Sequence, residues 1–411
     1  MKILFLSHDI PTPHFSDTIS LFYSIKYLSI MYGHEITLIS FTSPRINDKD
    51  VKEIGRFCTI EKLIPINKKN NVFNEIPHIL INNIHNIPKN IRNGLLFNIL
   101  DSYYSKDMKR EIDDVIKKEN FDIIFTTRGM ANYIFERPIR KIIQPYDATY
   151  EWHRQILSRT KGLEKLIYGL SYIMTKTYEK KIYKKFDVCL VVTEKDKELL
   201  CSLSPEINCI VLPNGVDVEY FSPMDVVEDF PSLIFVSDMS GHPTTDNILY
   251  FYNEIYPYIR KEIPEIKLYL VGRNPAKEIS ALASDPSIIV TGTVEDVRPY
   301  LAKSSVFIAP MIMGTGIKNK VLQAMAMGKA VVATSIAAQG INTTSGKDIF
   351  ITDNPGDFAR CIIRLCNDEQ LRENMGREAR ELIVSQYSWE NIVKKLNKIF
   401  QDLGGGVEHK V

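Results

Sequence analysis

Apolar residues recur along the chain with two periods, and the periods alternate. Lys2 to Ser7 is a short β-rich run, followed by the proline-rich loop His8-Asp9-Ile10-Pro11-Thr12-Pro13. Between Ile19 and Met31, Leu21, Phe22, Ile25 and Leu28 fall at helical spacing, and Gly33 stops the pattern. Glu35 to Phe41 predicts a second strand, so the chain opens with a βαβ unit. Further on the pattern predicts a charged helix over Lys106–Glu119 and strands over Phe121–Thr126 and Lys141–Gln144. The strand end Gln144-Pro145-Tyr146-Asp147 and the following Glu151-Trp152-His153-Arg154 are expected in ligand-facing loops beyond the carboxyl edge of the sheet. A long Tyr- and Lys-rich helix over Leu163–Phe186 carries Leu163, Ile167, Leu170, Ile173 and Met174 as apolar positions. It reads as a packed helix with a solvated face, or as a basic, aromatic face resting on a membrane. Val188–Val192 is a strand, and Thr193 caps the next helix. Residues 65–100, rich in Asn and Ile with scattered prolines, follow neither period and read mainly as irregular surface, with an acceptor-binding insertion as the alternative.

The same alternation resumes after a punctuated stretch. Ile210-Val211-Leu212-Pro213-Asn214-Gly215-Val216-Asp217, then Tyr220-Phe221-Ser222-Pro223, reads as a strand and a turn that ends a domain. Strands follow at Leu233–Val236, Lys267–Val271, Ile288–Val290, Val306–Ala309 and Ala330–Ala333, with a helix over Asn247–Ile259. Helices over Asp357–Cys366 and Glu369–Gln386 come next, then a break at Tyr387-Ser388-Trp389 and an amphipathic helix to Leu403. Strands and helices on this rhythm make doubly wound parallel sheets. The expected domains are 1–212, 213–387, a last helix 388–403 crossing back to the first, and a flexible tail 404–411.

Composition narrows the class. A chain of 411 residues with 45% hydrophobic and 25% charged residues is a globular protein of two domains. Net charge is +1, unevenly divided: residues 1–210 hold 31 Lys/Arg and 25 Asp/Glu (+6), and residues 211–411 hold 20 and 25 (−5). Nothing in this points to nucleic acid; a mildly basic first half is compatible with an anionic membrane or acceptor, or with chance asymmetry. The six cysteines form no C-x-x-C pair and no metal-ligand spacing, which fits a reduced cytoplasmic protein. The N-terminal run is too short for a signal peptide, and no run approaches the ~18 apolar residues that span a membrane. Asp48-Lys49-Asp50 matches a D-x-D pattern but is expected in a solvated loop, so no metal site is expected.

The candidate chemistry sits between Val306 and Gly340. An apolar strand closed by Pro310 feeds Gly314-Thr315-Gly316, then a helix with Ile317, Val321, Leu322, Met325 and Ala326 at helical spacing, ended by Gly328. A glycine turn feeding a helix start after a parallel strand is an anion site, because free N–H groups and the helix dipole face the ligand. Lys318 and Lys320, in the expected first turn, add charge suited to a dianion. The same spacing also fits an ordinary strand–helix turn with solvated lysines.

The motif P-M-x-x-G-T-G-I-K-N-K-V-L-x-A-M-A-M-G-K-x-V-V-A-T-S-x-A-A-x-G resembles the donor-binding region of retaining nucleotide-sugar glycosyltransferases of family 4, especially those of exopolysaccharide clusters. Gly33-His34-Glu35-Ile36-Thr37-Leu38-Ile39 and the Pro213–Pro223 stretch are similar to the family's start and interdomain segment. The resemblance implies a GT-B fold, two Rossmann-like domains facing a central cleft, and transfer of a sugar from a nucleotide-diphosphate sugar to a hydroxyl acceptor with retained configuration. The turn and helix start then hold the diphosphate, with Gly314, Gly316, Ile317, Lys318, Val321 and Gln323 as donor-binding residues and Lys318, Thr315 and Gln323 as catalytic candidates. The loop after Ile288–Val290, with Val294, reads the base. Arg273 and His242 are further donor-side candidates, and Asp17, Asp147 and His153 acceptor-side ones, His153 also as a catalytic candidate. The family's two glutamates separated by seven residues correspond to Thr315 and Gln323, so a glutamine stands where a glutamate normally takes the ribose hydroxyls. Phe15-Ser16-Asp17-Thr18 replaces the usual paired glycines of the first loop, and Ser237–Pro243 lacks the usual Arg and Lys. These departures leave a second reading, a catalytically idle nucleotide-sugar-binding partner of another glycosyltransferase. The expected partners are the donor and a glycan or lipid-linked acceptor, with peripheral contact at the inner membrane face and no cofactor or metal. A sugar-phosphate epimerase or a pyridoxal-dependent phosphorylase would need catalytic carboxylates or a cofactor lysine that the motifs do not supply.

Overall fold

The computed structural model describes residues 1–66 and 105–404. Most of the Asn- and Ile-rich stretch and the tail beyond Gly404 lie outside the described residues. The chain forms two compact units, Met1–Leu212 with Val393–Val411, and Pro213–Ile392.

The first unit is built on a seven-stranded sheet. Its strands are β1 (Lys2–Ser7), β2 (Glu35–Thr42), β3 (Thr59–Pro65), β4 (Ile123–Thr127), β5 (Lys141–Tyr146), β6 (Val188–Val191) and β7 (Cys209–Val211). Their order is β3-β2-β1-β4-β5-β6-β7, all parallel, with Leu4 opposite Thr37 on one side and Ile124 on the other. The second unit has β8 (Ser232–Val236), β9 (Lys267–Val271), β10 (Ile288–Gly292), β11 (Val306–Ala309), β12 (Ala330–Ala333) and β13 (Phe350–Ile351). Here the order is β10-β9-β8-β11-β12-β13, again parallel. Every residue of β4, β8, β11 and β12 is buried, because helices cover both faces of a parallel sheet. That two-sided burial is why these strands read as unbroken apolar runs rather than as alternations. Leu6, Ile124, Ile143 and Val191 lie in one core, and Phe235, Leu268, Ile308 and Phe358 in the other.

In each sheet the winding direction reverses once, between β1 and β4 and between β8 and β11. Loops leaving the carboxyl ends on either side of such a point diverge and leave room for a ligand.

Several local expectations change. The helix expected over Asn247–Ile259 is broken into His242–Tyr250, a π-turn Phe251–Ile255 and Tyr256–Glu262. Pro257 has no N–H to bond the carbonyl four residues back, so the regular ladder cannot pass it. The helix expected over Leu163–Phe186 runs from Gly162 to Ile182 and ends in the 3₁₀ turn Tyr183–Lys185. Asp48-Lys49-Asp50 is not a solvated loop but the first turn of the helix Asp48–Ile54. The buried Asp50 carboxylate accepts from the Asn47 N–H at 2.9 Å, closing a capping box.

The last helix, Trp389–Gly404, begins in the second unit and ends in the first. Trp389 packs on Gly215, where an added Cβ would stand 2.6 Å from the indole. Leu396 and Phe400 are buried, the Phe400 ring is 6.0 Å from Phe125, and His34 Nε2 lies 2.7 Å from Asn397 Oδ1.

Candidate functional site

The second unit gathers its polar side chains at the carboxyl edge of β8, β9 and β11. β11 ends at Pro310, and the chain then turns through Gly314 (φ 150°) and Gly316 (φ 64°) before the helix Asn319–Ala326. Lys318 is not in the first helical turn, as the spacing suggested. It is the N-cap residue, in extended backbone, and its side chain folds back. Nζ donates to the carbonyls of Thr315 at 2.5 Å and Gly316 at 3.1 Å. The ammonium therefore closes the glycine turn, and a Cβ on Gly314 would stand 2.9 Å from it. The turn is kept in place from the neighbouring strand, because the Ile312 N–H donates to Asn247 Oδ1 at 2.9 Å and Thr334 Oγ1 to the Met311 carbonyl at 2.6 Å.

Lys320 points into the same region. Its Nζ donates to Gln323 Oε1 at 3.0 Å, so the glutamine at the unusual position is held by a cation one turn back. Burial, and then the nearby Arg273 charge, hold the Lys320 ammonium below its ordinary pKa. Arg273 follows β9 and pairs through Nε with Asp238 Oδ2 at 2.6 Å, which follows β8. The structure thus brings Gln323, Lys320 and Arg273 together beside the glycine turn. Ile317 is buried under the turn, and Val321 is wholly buried in the core. Val321 therefore supports the turn from beneath and does not reach its surface. Val294 is half-buried in the loop after β10, where Gly292 takes φ 68°. His242 opens the helix His242–Tyr250; its side chain lies outside the described residues.

The first unit has its own polar edge at the β1/β4 reversal. His8, directly after β1, stands 3.4 Å from Thr127 Oγ1 and 3.5 Å from Asp17 Oδ2. Arg45, after β2, donates from Nη2 to Asp17 at 2.6 Å and from Nε to Asp9 at 2.8 Å, and its guanidinium lies over the Phe15 ring. Burial alone would raise the Asp17 carboxyl, but the hydrogen bonds from His8 and Arg45 and the Arg45 charge carry it well below the ordinary carboxylate range. Asp17 is therefore an anion held between two donors. Tyr146, at φ 73°, donates its hydroxyl to the Asp17 carbonyl at 3.4 Å.

Asp147 lies in the loop after β5, as expected, whereas His153 does not lie in a loop. Asp147 is half-buried after β5 and accepts from Thr149 Oγ1 at 3.1 Å. His153, expected in an acceptor-facing loop, is inside the helix Thr149–Leu157 and has no exposed surface. Neither ring nitrogen has a hydrogen-bond partner among the described residues. Burial, then the Arg128 charge, push its pKa down to about 4, so it is a neutral ring inside the fold. The helix around it starts without a side-chain cap of its own. Glu179, from the helix Gly162–Ile182, supplies one by accepting from the N–H groups of Thr149 at 3.0 Å and Tyr150 at 3.4 Å. Arg128 donates to the Thr149 hydroxyl. His8, Arg45, Asp238 and Glu179 are the polar groups to which sequence reading gave no role, while Lys320 stands in the first helical turn as expected. For the former only position after a strand end, as with His8, gave any signal.

Among the described residues no group of three or more His, Cys, Asp or Glu is arranged to hold a metal ion, and no helix is long and apolar enough to cross a membrane.

The family described as Glycosyl transferases group 1 matches residues 230–368, from the start of β8 through the glycine turn and beyond β13. An uncharacterised glycosyltransferase of Methanocaldococcus jannaschii is 26% identical over 247 residues, 57% of this chain and 63% of that protein, so the match spans less than two thirds of its length. A phosphatidyl-myo-inositol mannosyltransferase of Mycolicibacterium smegmatis is 24% identical over 308 residues, 72% of this chain and 75% of that one. Among solved structures, sucrose-phosphate synthase from Thermosynechococcus elongatus superposes with a TM-score of 0.70 at 15% identity, covering 98% of this chain and 100% of the other. The fold is GT-B. The stretch matched by the glycosyl transferases group 1 family holds the glycine turn of its second sheet.

Proposed function

We propose that the chain moves a sugar from a nucleotide-diphosphate sugar to a hydroxyl acceptor with retention of configuration, in glycan or glycoconjugate assembly at the cytoplasmic face of the membrane. The observation that carries this reading is the glycine turn at the β8/β11 reversal, with Lys318 at the helix start and Lys320 and Arg273 beside it. Departure of a diphosphate requires negative charge to be stabilised more in the transition state than in the bound donor. N–H groups at the turn and the Lys318 ammonium provide that without a metal ion. Gln323 takes the ribose as a neutral partner, since its amide still offers two donors and one acceptor. Asp17, Asp147, His8 and Arg45 form the acceptor side. A lipid-linked or small-molecule hydroxyl acceptor agrees with the kinds of acceptor that the names of the mannosyltransferase and the synthase imply for those proteins.

Direct mass-spectrometric detection of donor turnover, over a panel of nucleotide-sugars, tests the reading. Absence of turnover with every donor, together with retained nucleotide binding, would favour the idle partner instead. A thermal-shift series with UDP, GDP, ADP and CMP identifies the nucleotide, because a ligand bound only by the folded state raises its stability.

Two substitutions probe the donor site. Lys318→Ala is expected to weaken nucleoside diphosphate binding by roughly 1.5–3 kcal/mol, the range for hydrogen bonds to charged groups, and to leave the bare nucleoside nearly unaffected. Calorimetry with both ligands checks this; equal losses would remove Lys318 from the diphosphate site. Gln323→Glu keeps the contact to Lys320 and adds charge, so it is expected to tighten the donor by ~1 kcal/mol through a stronger ribose hydrogen bond. An unchanged dissociation constant would place Gln323 outside the site.

A further inference from the structure

The helix Gly162–Ile182 is apolar on the wrong side for a helix that only packs on its own domain. Ile167, Ser171 and Glu179 face inward and are buried. On the adjoining face Leu163, Leu166, Leu170, Ile173 and Met174 are 58%, 62%, 41%, 59% and 50% exposed. Their spacing, i, i+3, i+7, i+10 and i+11, aligns them in one ridge of about 16 Å at 1.5 Å per residue. No other helix among the described residues exposes more than two large apolar side chains. Such a contiguous ridge marks an interaction surface rather than the scattered apolar exposure of any protein.

The charge around the ridge identifies what covers it. Lys165, Lys176 and Lys180 are exposed along one flank, and Lys181 continues the ridge toward the end of the helix, beyond which Lys184 pairs with Glu206. The acidic residues between Lys161 and Lys185 are Glu164 and Glu179; the first is half-buried, and the second is turned inward as the cap of a neighbouring helix. The exposed face is therefore apolar along its crest and cationic on its flank. A second copy of this chain would bring the same excess of cationic charge to this surface. An anionic bilayer accepts both features, the apolar crest among the acyl chains and the ammonium groups at the headgroups.

We propose that this face of the first unit docks the protein on an anionic lipid surface, with the helix lying in the interface plane. This gives a location to the peripheral membrane contact proposed above and rests on that reading. The lysine stems, long enough to extend beside the crest, hold their charge at headgroup level while the leucines sink below it.

The test uses the full chain and vesicles of phosphatidylcholine, with and without phosphatidylglycerol. The natural protein is expected to co-sediment with the anionic vesicles, less so as salt is raised, and weakly with the neutral ones. Leu166→Ser with Ile173→Ser is expected to lower the partition by about tenfold or more. Its melting temperature is expected to stay unchanged, because both side chains are exposed. Leu166→Trp reports the location directly, with a blue-shifted emission on anionic vesicles. The proposal is overturned if the natural protein ignores anionic vesicles, or if the double variant partitions like the natural chain. It is equally overturned if the double variant dissociates a dimer that does not bind lipid, which would make the face a self-interface. Donor turnover is read in the same samples. A chain that binds vesicles through Leu166 and Ile173 but turns over no donor overturns the transferase reading and leaves the docking surface in place; turnover without vesicle binding does the reverse.

Discussion

Gly272→Ala is expected to lower the stability of the second unit by about 3 kcal/mol or more and to weaken donor binding with it. Gly272 leaves β9 at φ 153°, and a Cβ built on it would stand 1.7 Å from the Ser237 carbonyl oxygen. That atom is backbone, so no rotamer relieves the clash. The exits of β8 and β9 are hydrogen-bonded on both sides of this point. The Ser237 N–H donates to the Val271 carbonyl at 3.1 Å, and the Met239 N–H to the Arg273 carbonyl at 2.9 Å. An alanine must either break these bonds or part the strand ends, in addition to adopting a backbone conformation that L residues avoid. The same displacement moves Arg273 and Asp238, which is why affinity falls together with stability. Gly292→Ala is the control. It has φ 68° and nothing within 4 Å of its Cβ position, so only the conformational cost of about 1 kcal/mol applies. Denaturant midpoints and nucleotide affinities of the two variants check the contrast. Equal, small losses would mean that the loop at Gly272 relaxes freely.

The second large effect is a pH dependence that belongs to Glu179. Complete burial pushes its carboxyl up to about 8 from an ordinary 4.5, against the opposing pull of the Arg128 charge. The folded protein therefore binds a proton there that the unfolded chain releases above pH 4.5. The stability this group contributes is complete below pH 4.5 and is lost as pH rises through 8. His153 acts with the opposite sign. Its pKa falls to about 4 from 6.5, so its contribution is present above pH 6.5 and is lost as pH falls toward 4. The two slopes oppose each other between pH 4.5 and 6.5, and from 6.5 to 8 the Glu179 slope remains alone. In that window the natural protein is expected to lose up to ~1.4 kcal/mol per pH unit through Glu179. Glu179→Gln keeps an acceptor for the Thr149 and Tyr150 N–H groups and cannot titrate. Chemical denaturation of both proteins at pH 6.5, 7 and 8 is expected to show the difference growing in favour of the variant. A constant difference across the window would mean that Glu179 is already ionised in the fold.

These two effects differ in how far the sequence announced them. Gly272 stands in a run, Val271-Gly272-Arg273-Asn274-Pro275, that reads as a strand exit from composition alone. Its contact with Ser237 does not. Glu179 sat in a helix that was identified, but as one lysine-rich charge among many. Nothing local distinguishes a carboxylate that faces solvent from one that caps another helix 30 residues away.

The sequence by itself determined most of the elements and their parallel pairing, though not β3, β13 or the helix Asp48–Ile54. Val306–Ala309 and Ala330–Ala333 are unbroken apolar runs because each sheet is covered on both faces, and that pattern fits no half-exposed strand. Gly33 and Gly328, at φ 64° and 70°, end helices at positions where a side chain would be strained, so the stops were also written locally. The glycine turn after β11 was visible for the same reason. Only the tertiary structure decided what the polar groups do. It folded Lys318 back on the turn it was expected to leave open, drew Lys320 to Gln323, buried His153, joined Arg45 to Asp17 across 28 residues and His34 to Asn397 across 363. Periodicity records which side of an element meets the core, because that is a property of neighbours three or four residues apart. A hydrogen bond or a desolvated charge depends on which distant segment arrives opposite, and chain order carries no local trace of that arrival.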